Sequence, residues 1–242
     1  MESIQTRIGG QGLKKLNRNW SKMIINIQET EILLLPQRAA FFLQQRILVL
    51  ADMHLGKLVH FRKKGIFAPL RLVNEDLDTM SSLIKTLKPD EVVFLGDLFH
   101  SEANSEYHHF IEVIDLFPNV KFTLTKGNHD IIPEALLRDT KIEVTDEIVL
   151  QNNIVLRHQL PKSRPLESFY IIGHIHPGYI FYGKGRQYYT LSCYHHTRHF
   201  LILPAFGKHT GLFIPDVLPE DAVYVIMNEE VVRVPKTSKE NF

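Results

Sequence analysis

Five short apolar runs in this chain each end in a cluster of polar side chains of the kinds that bind metal ions. Ile47-Leu48-Val49-Leu50 leads into Ala51-Asp52-Met53-His54, and Val92-Val93-Phe94-Leu95 leads into Gly96-Asp97-Leu98-Phe99-His100. Residues 122–125 lead into Lys126-Gly127-Asn128-His129-Asp130, residues 154–157 into His158, and residues 169–172 into Gly173-His174-Ile175-His176. Short runs of this composition read as strands, and the unbroken apolar ones as strands buried on both faces. In α/β sheets, ligands bind beyond the carboxyl ends of the strands. Five such endings, far apart in sequence, therefore meet at one place if the runs lie side by side.

The rest of the chain supports such a sheet. Residues 24–27, 32–35 and 39–42 read as short strands divided by polar turns, with Pro36 as a breaker. Leu77, Met80, Leu83, Ile84 and Leu87 have helical spacing, so residues 74–88 read as a helix that stops before Pro89. A second helix is expected over 104–116, closed by Phe117-Pro118, then a strand over 121–125 and a short helix over 133–138. Further strands are expected over 141–144, 148–151, 154–157, 169–172, 179–182, 188–191, 200–203, 222–227 and 231–234. Mixed strands, then β-α-β-α-β, then mostly strands predict a layered α/β fold, two sheets face to face with helices outside. Residues 1–22 are polar and basic and read as a disordered tail, with Met23 a candidate natural start. Residues 23–242 read as a single domain.

Composition narrows the setting. A formal net charge of +1 gives no global field that would attract a polyanion or an acidic membrane. Bound metal ions would still add local positive charge. Cys193 is the single cysteine, so no intramolecular disulfide forms and a reducing cytoplasm fits. Charge interrupts every long apolar stretch, short of the ~18 residues a membrane span needs. Residues 1–22 lack the apolar core of a secretory signal. The chain thus reads as soluble and cytoplasmic.

The clusters also carry a chemical reading. Asp52-x-His54 and His174-x-His176 alternate, and on an extended chain residues i and i+2 point the same way. Both members of each pair are then expected to face one cavity. Carboxylate oxygen with imidazole nitrogen suits Mn, Fe, Zn or Co better than Ca, and the lack of cysteine ligands argues against structural zinc. Any one of these histidines alone is more simply a core or surface residue; the joint pattern carries the reading.

In that order, D-x-H, G-D, G-N-H-D, H and G-H-x-H resemble the calcineurin-like metallophosphoesterases, from about Ile47 to His176. The resemblance implies a four-layer α/β/β/α β-sandwich flanked by helices and two divalent metal ions, foremost Mn²⁺. It further implies Asp52, His54 and His176 as ligands of one ion, and Asn128, His158 and His174 as ligands of the other. Asp97 is the implied bridge, and His129 the implied group beside the leaving oxygen. Two such ions clamp attacking and leaving oxygens and activate water, and neutral Asn128 and imidazoles leave their excess charge intact.

Gly96-Asp97-Leu98-Phe99-His100 departs from the protein-phosphatase form G-D-x-x-D-R-G, and it places His100 where double-strand-break-repair nucleases of the superfamily orient the histidine equivalent to His129. Ala51 to Lys57, Gly173 to Pro177, and Leu203-Pro204-Ala205-Phe206-Gly207 with Thr210-Gly211 resemble the ligase-associated DNA damage response endonuclease family, PdeM. His158 is followed by Gln159 where the superfamily commonly has glycine.

The expected function is therefore a two-metal phosphodiesterase, a DNA endonuclease or nuclease in repair, with DNA as substrate and DNA repair proteins as partners. The alternatives are a phosphatase or phosphodiesterase for a small nucleotide-like molecule, and a weakly active metal-binding subunit of a repair complex. Lys57, Arg62, Lys63 and Lys64 are expected to contact phosphates. His195, His196, Arg198 and His199 form a second polar cluster expected along the same groove. His108 and His109 read as helix-surface residues, and Cys193 as a buried small hydrophobe.

Overall fold

The computed structural model describes residues 23–56, 71–99, 105–127, 140–163, 165, 167–183, 187–208 and 210–235. Its first sheet opens as an antiparallel meander of β1 (Met23–Ile27), β2 (Thr30–Leu35), β3 (Ala39–Phe42) and β4 (Ile47–Ala51). Gln28 and Glu29 join the first two strands with φ of 45° and 64°, the left-handed turn whose hand matches strand twist. From β4 the sheet becomes parallel through β5 (Glu91–Leu95), β6 (Lys121–Thr125) and β7 (Ile142–Thr145). Helix α1 (Arg71–Leu87) lies between β4 and β5 in the chain, and α2 (Ser105–Asp115) between β5 and β6.

Both helices bury an apolar stripe on the outer face of this sheet. Leu77, Met80, Leu83, Ile84 and Leu87 of α1, with Phe110, Val113 and Ile114 of α2, pack on Leu48, Leu50, Val92, Phe94, Phe122 and Leu124. The chain leaves α1 at Lys88, whose amide donates to the Ile84 carbonyl at 2.9 Å, and Pro89 prevents continuation. No helix among the described residues is long and apolar enough to cross a membrane.

The second sheet follows from β8 (Ile148–Val149), β9 (Ile154–Leu156), β10 (Phe169–Ile172), β11 (Gly178–Tyr182), β12 (Tyr188–His196), β13 (Phe200–Ile202), β14 (Ala222–Met227) and β15 (Glu230–Arg233). Its order is β15-β14-β12-β13-β10-β9-β8, with β11 paired to β12. Strands β9, β10 and β13 are parallel, and the other pairs are antiparallel. The expected mixed sheets therefore form and pack face to face. Leu34, Phe42, Val49 and Val93 on the inner face of the first sheet meet Leu156, Ile171, Leu201 and Tyr224 of the second. Tyr194 ties the two sheets: its hydroxyl, fully buried, lies 2.6 Å from the Leu35 carbonyl and 2.8 Å from that of Ala39. The tail over 1–22 and the short helix over 133–138 lie outside the described residues.

Parallel pairing within each sheet sends β4, β5 and β6 one way, and β9, β10 and β13 likewise within theirs. The carboxyl ends of the two sets meet where the His174 amide, just past β10, reaches the Asp52 carboxylate, just past β4.

Candidate metal centre

Past the end of β4 the backbone turns into a left-handed path, with φ of 51° at Asp52 and 49° at His54. Asp97 (46°), His174 (68°) and His176 (52°) adopt the same unfavourable conformation. For residues other than glycine each such position costs of order 1–3 kcal/mol, and it persists only where surroundings enforce it. Here they do. The His54 amide donates to the Asp97 carbonyl at 2.9 Å, and the Leu55 amide to that of Leu98 at 2.9 Å, so the two loops are laced beyond the strands. The Phe206 amide donates to the Ala51 carbonyl at 2.7 Å, bracing the first loop from behind. A side chain at Gly207 would strike the Met53 carbonyl, which explains the glycine. The i, i+2 expectation is thus corrected in its mechanism: the pairs present their side chains through left-handed turns, not from extended chain.

The structure brings six of the candidate side chains together in two groups, Asp52 with His54 and His176, and Asp97 with His158 and His174. In the first, Asp52 Oδ1 lies 3.5 Å from His176 Nε2, and His54 Nε2 lies 3.3 Å from His176 Nε2. In the second, Asp97 Oδ1 lies 3.6 Å from His158 Nε2, which lies 3.1 Å from His174 Nδ1. Asp97 Oδ2 reaches the other way, 3.9 Å from His54 Nε2, so its two oxygens face the two groups. The Asp52 carboxylate also accepts the His174 amide on Oδ2 at 2.7 Å, fixing the last loop to the first.

These spacings fit metal ions. Two ligand atoms about 2.1 Å from one ion lie about 3.0–3.5 Å from each other in tetrahedral or octahedral geometry. Asp52 Oδ1 is buried and has no hydrogen-bond partner, and the His158 and His176 imidazoles stand near it at 3.6 and 3.5 Å. A buried carboxylate without a partner is costly unless a cation accompanies it. His158 is oriented by its own bond: Nδ1 lies 2.9 Å from the Leu95 carbonyl and donates there, leaving Nε2 a lone pair directed at the centre. His174 is held below the usual imidazole range, first by desolvation and then by neighbouring His158, which favours the neutral form that binds metals.

Two glycines admit this crowding. A Cβ at Gly96 would enter the His158 ring, and one at Gly173 would strike Asp52 Oδ2 and Ala51. Beyond His158 opens a polar cleft of about 580 Å³ lined by Lys126, Thr145, Asp146, Glu147, Arg157, His158 and Gln159. The sequence reading missed this cleft, although Lys126 directly precedes the G-N-H-D motif at the end of β6.

Lys57, Arg62, Lys63, Lys64, His100, Asn128 and His129 lie outside the described residues. The second polar cluster does not line the groove as expected. His195 is buried on the outer face of the second sheet, its Nε2 2.8 Å from Asp221 Oδ2. His196 stands edge-on to Phe169, and burial holds it below the usual imidazole range against the opposing pull of Asp221. Arg198 and His199 occupy the turn before β13, at its amino end, whereas the centre lies beyond the carboxyl ends. The reason is that β12 continues to His196 and carries these residues across the sheet.

A family model described as calcineurin-like phosphoesterase matches residues 45–233. The fold is shared with the nuclease MPE of Pseudomonas putida, at 24% identity and a TM-score of 0.71 over 88% of this chain and 100% of that one. YfcE, a phosphoesterase from E. coli, matches at 14% identity and a TM-score of 0.41, covering 79% and 99% of the respective chains. A protein of unknown function from Aquifex aeolicus, AQ665, matches at 18% identity and a TM-score of 0.39, covering 58% and 82%. No curated protein matches.

Proposed function

The chain belongs to the calcineurin-like phosphoesterase family, a family of metal-dependent hydrolases, and from that premise we propose that it is a two-metal phosphodiesterase acting on DNA. The observation that carries the two-metal reading is Asp97, one carboxylate whose oxygens face two separate Asp/His groups. When bound, two divalent ions activate water and stabilise charge on the phosphoryl oxygens.

In this proposal Asp52, His54 and His176 hold one ion, and His158, His174 and Asn128 hold the other, with Asp97 shared. The Leu95 carbonyl keeps His158 in the tautomer that binds. His129 donates a proton or a hydrogen bond at the leaving oxygen, and His100 orients it. Lys57, Arg62, Lys63 and Lys64 hold flanking phosphates. Mn²⁺ is the proposed metal, and the cytoplasm, with DNA repair proteins as partners, the proposed setting.

Two observations support a diester over a monoester. The chain has Gly96-Asp97-Leu98-Phe99-His100 in place of the arginine-bearing phosphatase motif that grips a dianion, and the Pseudomonas putida protein of like fold is a nuclease. The test is a panel of single-stranded, duplex and flapped DNA, RNA, nucleotides and aryl phosphates, run with Mn²⁺. Aryl diester turnover should exceed that of the matching monoester, and DNA should be cut. Faster monoester turnover would replace this reading with a small-molecule phosphatase.

A further inference from the structure

We propose that two copies of this chain pair through the outer edge of β11, the strand that begins two residues after His176. The pairing is independent of the proposed reaction. Along one side β11 is hydrogen-bonded to β12. On its other side Phe213 lies beside Pro177, and the Phe213 carbonyl accepts from the Gly178 amide at 2.7 Å. From Tyr179 to Tyr182 no strand covers that side among the described residues. An uncovered edge presents a row of backbone donors and acceptors to a second strand, which charged side chains or proline ordinarily deter. β7 and β15, each at one end of a sheet, carry Glu143, and Glu230 with Arg233. β11 reads Gly178-Tyr179-Ile180-Phe181-Tyr182, with neither charge nor proline.

The side chains along this edge are apolar as well. Antiparallel partners share a face, so Ile180 and Tyr182 stand with Thr190 and Tyr188, and Leu212 and Ile214 border them at Gly178. Tyr182 is 82% exposed, Tyr188 66%, Leu212 40% and Ile214 42%. At about 200 Å² per aromatic side chain, the two tyrosines leave about 300 Å² in water. On the opposite face Tyr179, Phe181 and Leu191 pack on Cys193, Val223 and Val225. No Asp, Glu, Lys or Arg falls within 177–183, 187–192 or 210–215, and a net charge of +1 sets up little repulsion between copies.

The edge matches its own copy. A twofold axis normal to the sheet keeps every residue on its own face, so residues opposite each other differ by an even number and one residue faces itself. Centred on Ile180, the copy would bring its Tyr182 to Gly178, where Phe213 already lies. Centred on Phe181, residues 179–183 lie against themselves. Tyr182 of each copy then stands beside Ile180 of the other, and Gly183 beside Tyr179. The row of Tyr188 and Tyr182 continues into Ile180 and Thr190 of the second copy across one four-stranded surface. An isologous contact of this kind closes at two copies. It covers about 1,000 Å² in total, the size of a reversible association.

The test is sedimentation equilibrium of the full chain at about 1 to 100 μM, the range suited to an interface of this size. A reversible monomer–dimer equilibrium is expected. Tyr182→Lys should weaken it about tenfold or more, since lysine on an edge strand deters pairing. Leu116→Lys, at a 65% exposed position after α2, adds the same charge and should change it less than about twofold. Phe181→Cys should form an intermolecular disulfide with diamide, because residues facing each other across the axis have Cα atoms about 4.5–5.5 Å apart. Ile180→Cys should not, and the wild type, whose Cys193 is buried, is the blank. A wild type that stays monomeric throughout overturns the pairing, and so does a dimer that Tyr182→Lys weakens no more than Leu116→Lys. Cross-linking of Ile180→Cys in preference to Phe181→Cys overturns it too. Loss of the dimer in Tyr182→Lys alone supports it, whether or not Phe181→Cys folds.

Discussion

The metal centre and the outer face of the second sheet both bury imidazole against carboxylate, yet they do so at different spacings. His195 Nε2 and Asp221 Oδ2 are 2.8 Å apart, a direct hydrogen bond, and the same oxygen accepts the Leu218 amide at 3.1 Å. Asp52 Oδ1 lies 3.5 Å from His176 Nε2, beyond hydrogen-bond reach and suited to a shared ion. Burial is similar, so neither composition nor exposure separates the two places. The backbone does: His195 sits on a regular strand, whereas Asp52, His54, Asp97, His174 and His176 are held in left-handed turns. One arrangement joins imidazole and carboxylate directly, and the other leaves a gap between them.

Removing the carboxylate from each place should break the comparison most sharply. Asp52→Asn is expected to lower metal-dependent hydrolysis about 10³-fold, beyond the ~10–100-fold typical of losing a group behind the ligands. Metal content measured alongside should fall, and an active, metallated variant would refute the role proposed for Asp52. Next in size is Gly173→Ala, whose methyl displaces the Asp52 carboxylate; metal affinity should drop about 10–100-fold with little change in secondary structure. Titration with Mn²⁺ reads this directly, and unchanged affinity would show that the loop yields.

Asp221→Ala should act on stability alone. Its loss leaves His195 buried without its partner and should cost about 2–3 kcal/mol in denaturant unfolding, with metal content and turnover per folded molecule retained. Loss of metal instead would join the two places functionally. The same variant has an internal reporter: burial pushes the Cys193 thiol up to about 12, so thiol reagents at pH ~8, below that value and near the ordinary thiol range, should spare the wild type and react faster with the variant. The smallest expected effect is Tyr194→Phe, about 1 kcal/mol for the cross-sheet hydroxyl, with turnover unchanged.

Much of the scaffold was legible in the sequence because apolar runs report burial directly. Expected strands at 39–42, 121–125, 169–172 and 222–227 coincide with the observed ones. The expectation failed where polar residues find distant partners. Strand β12 runs past Leu191 through Ser192-Cys193-Tyr194-His195-His196, because Tyr194 is satisfied by Leu35 and Ala39, and His195 by Asp221. The expected strand over 148–151 stops at Val149, since Asn152 and Asn153 take φ of 59° and 56° in a following turn. At the centre, motif order indicated which residues to examine together. It was silent on the left-handed turns and on the brace from Phe206 and Gly207, both products of hydrogen bonds between segments remote in sequence.

That brace has a consequence for biosynthesis. Asp52 and His54 leave the ribosome early, but the segment that backs their loop is not complete until Gly207 has been added. A nascent chain short of that point holds the first aspartate and histidine on an unsupported turn. Loading of the candidate centre would thereby wait until Gly207 has emerged.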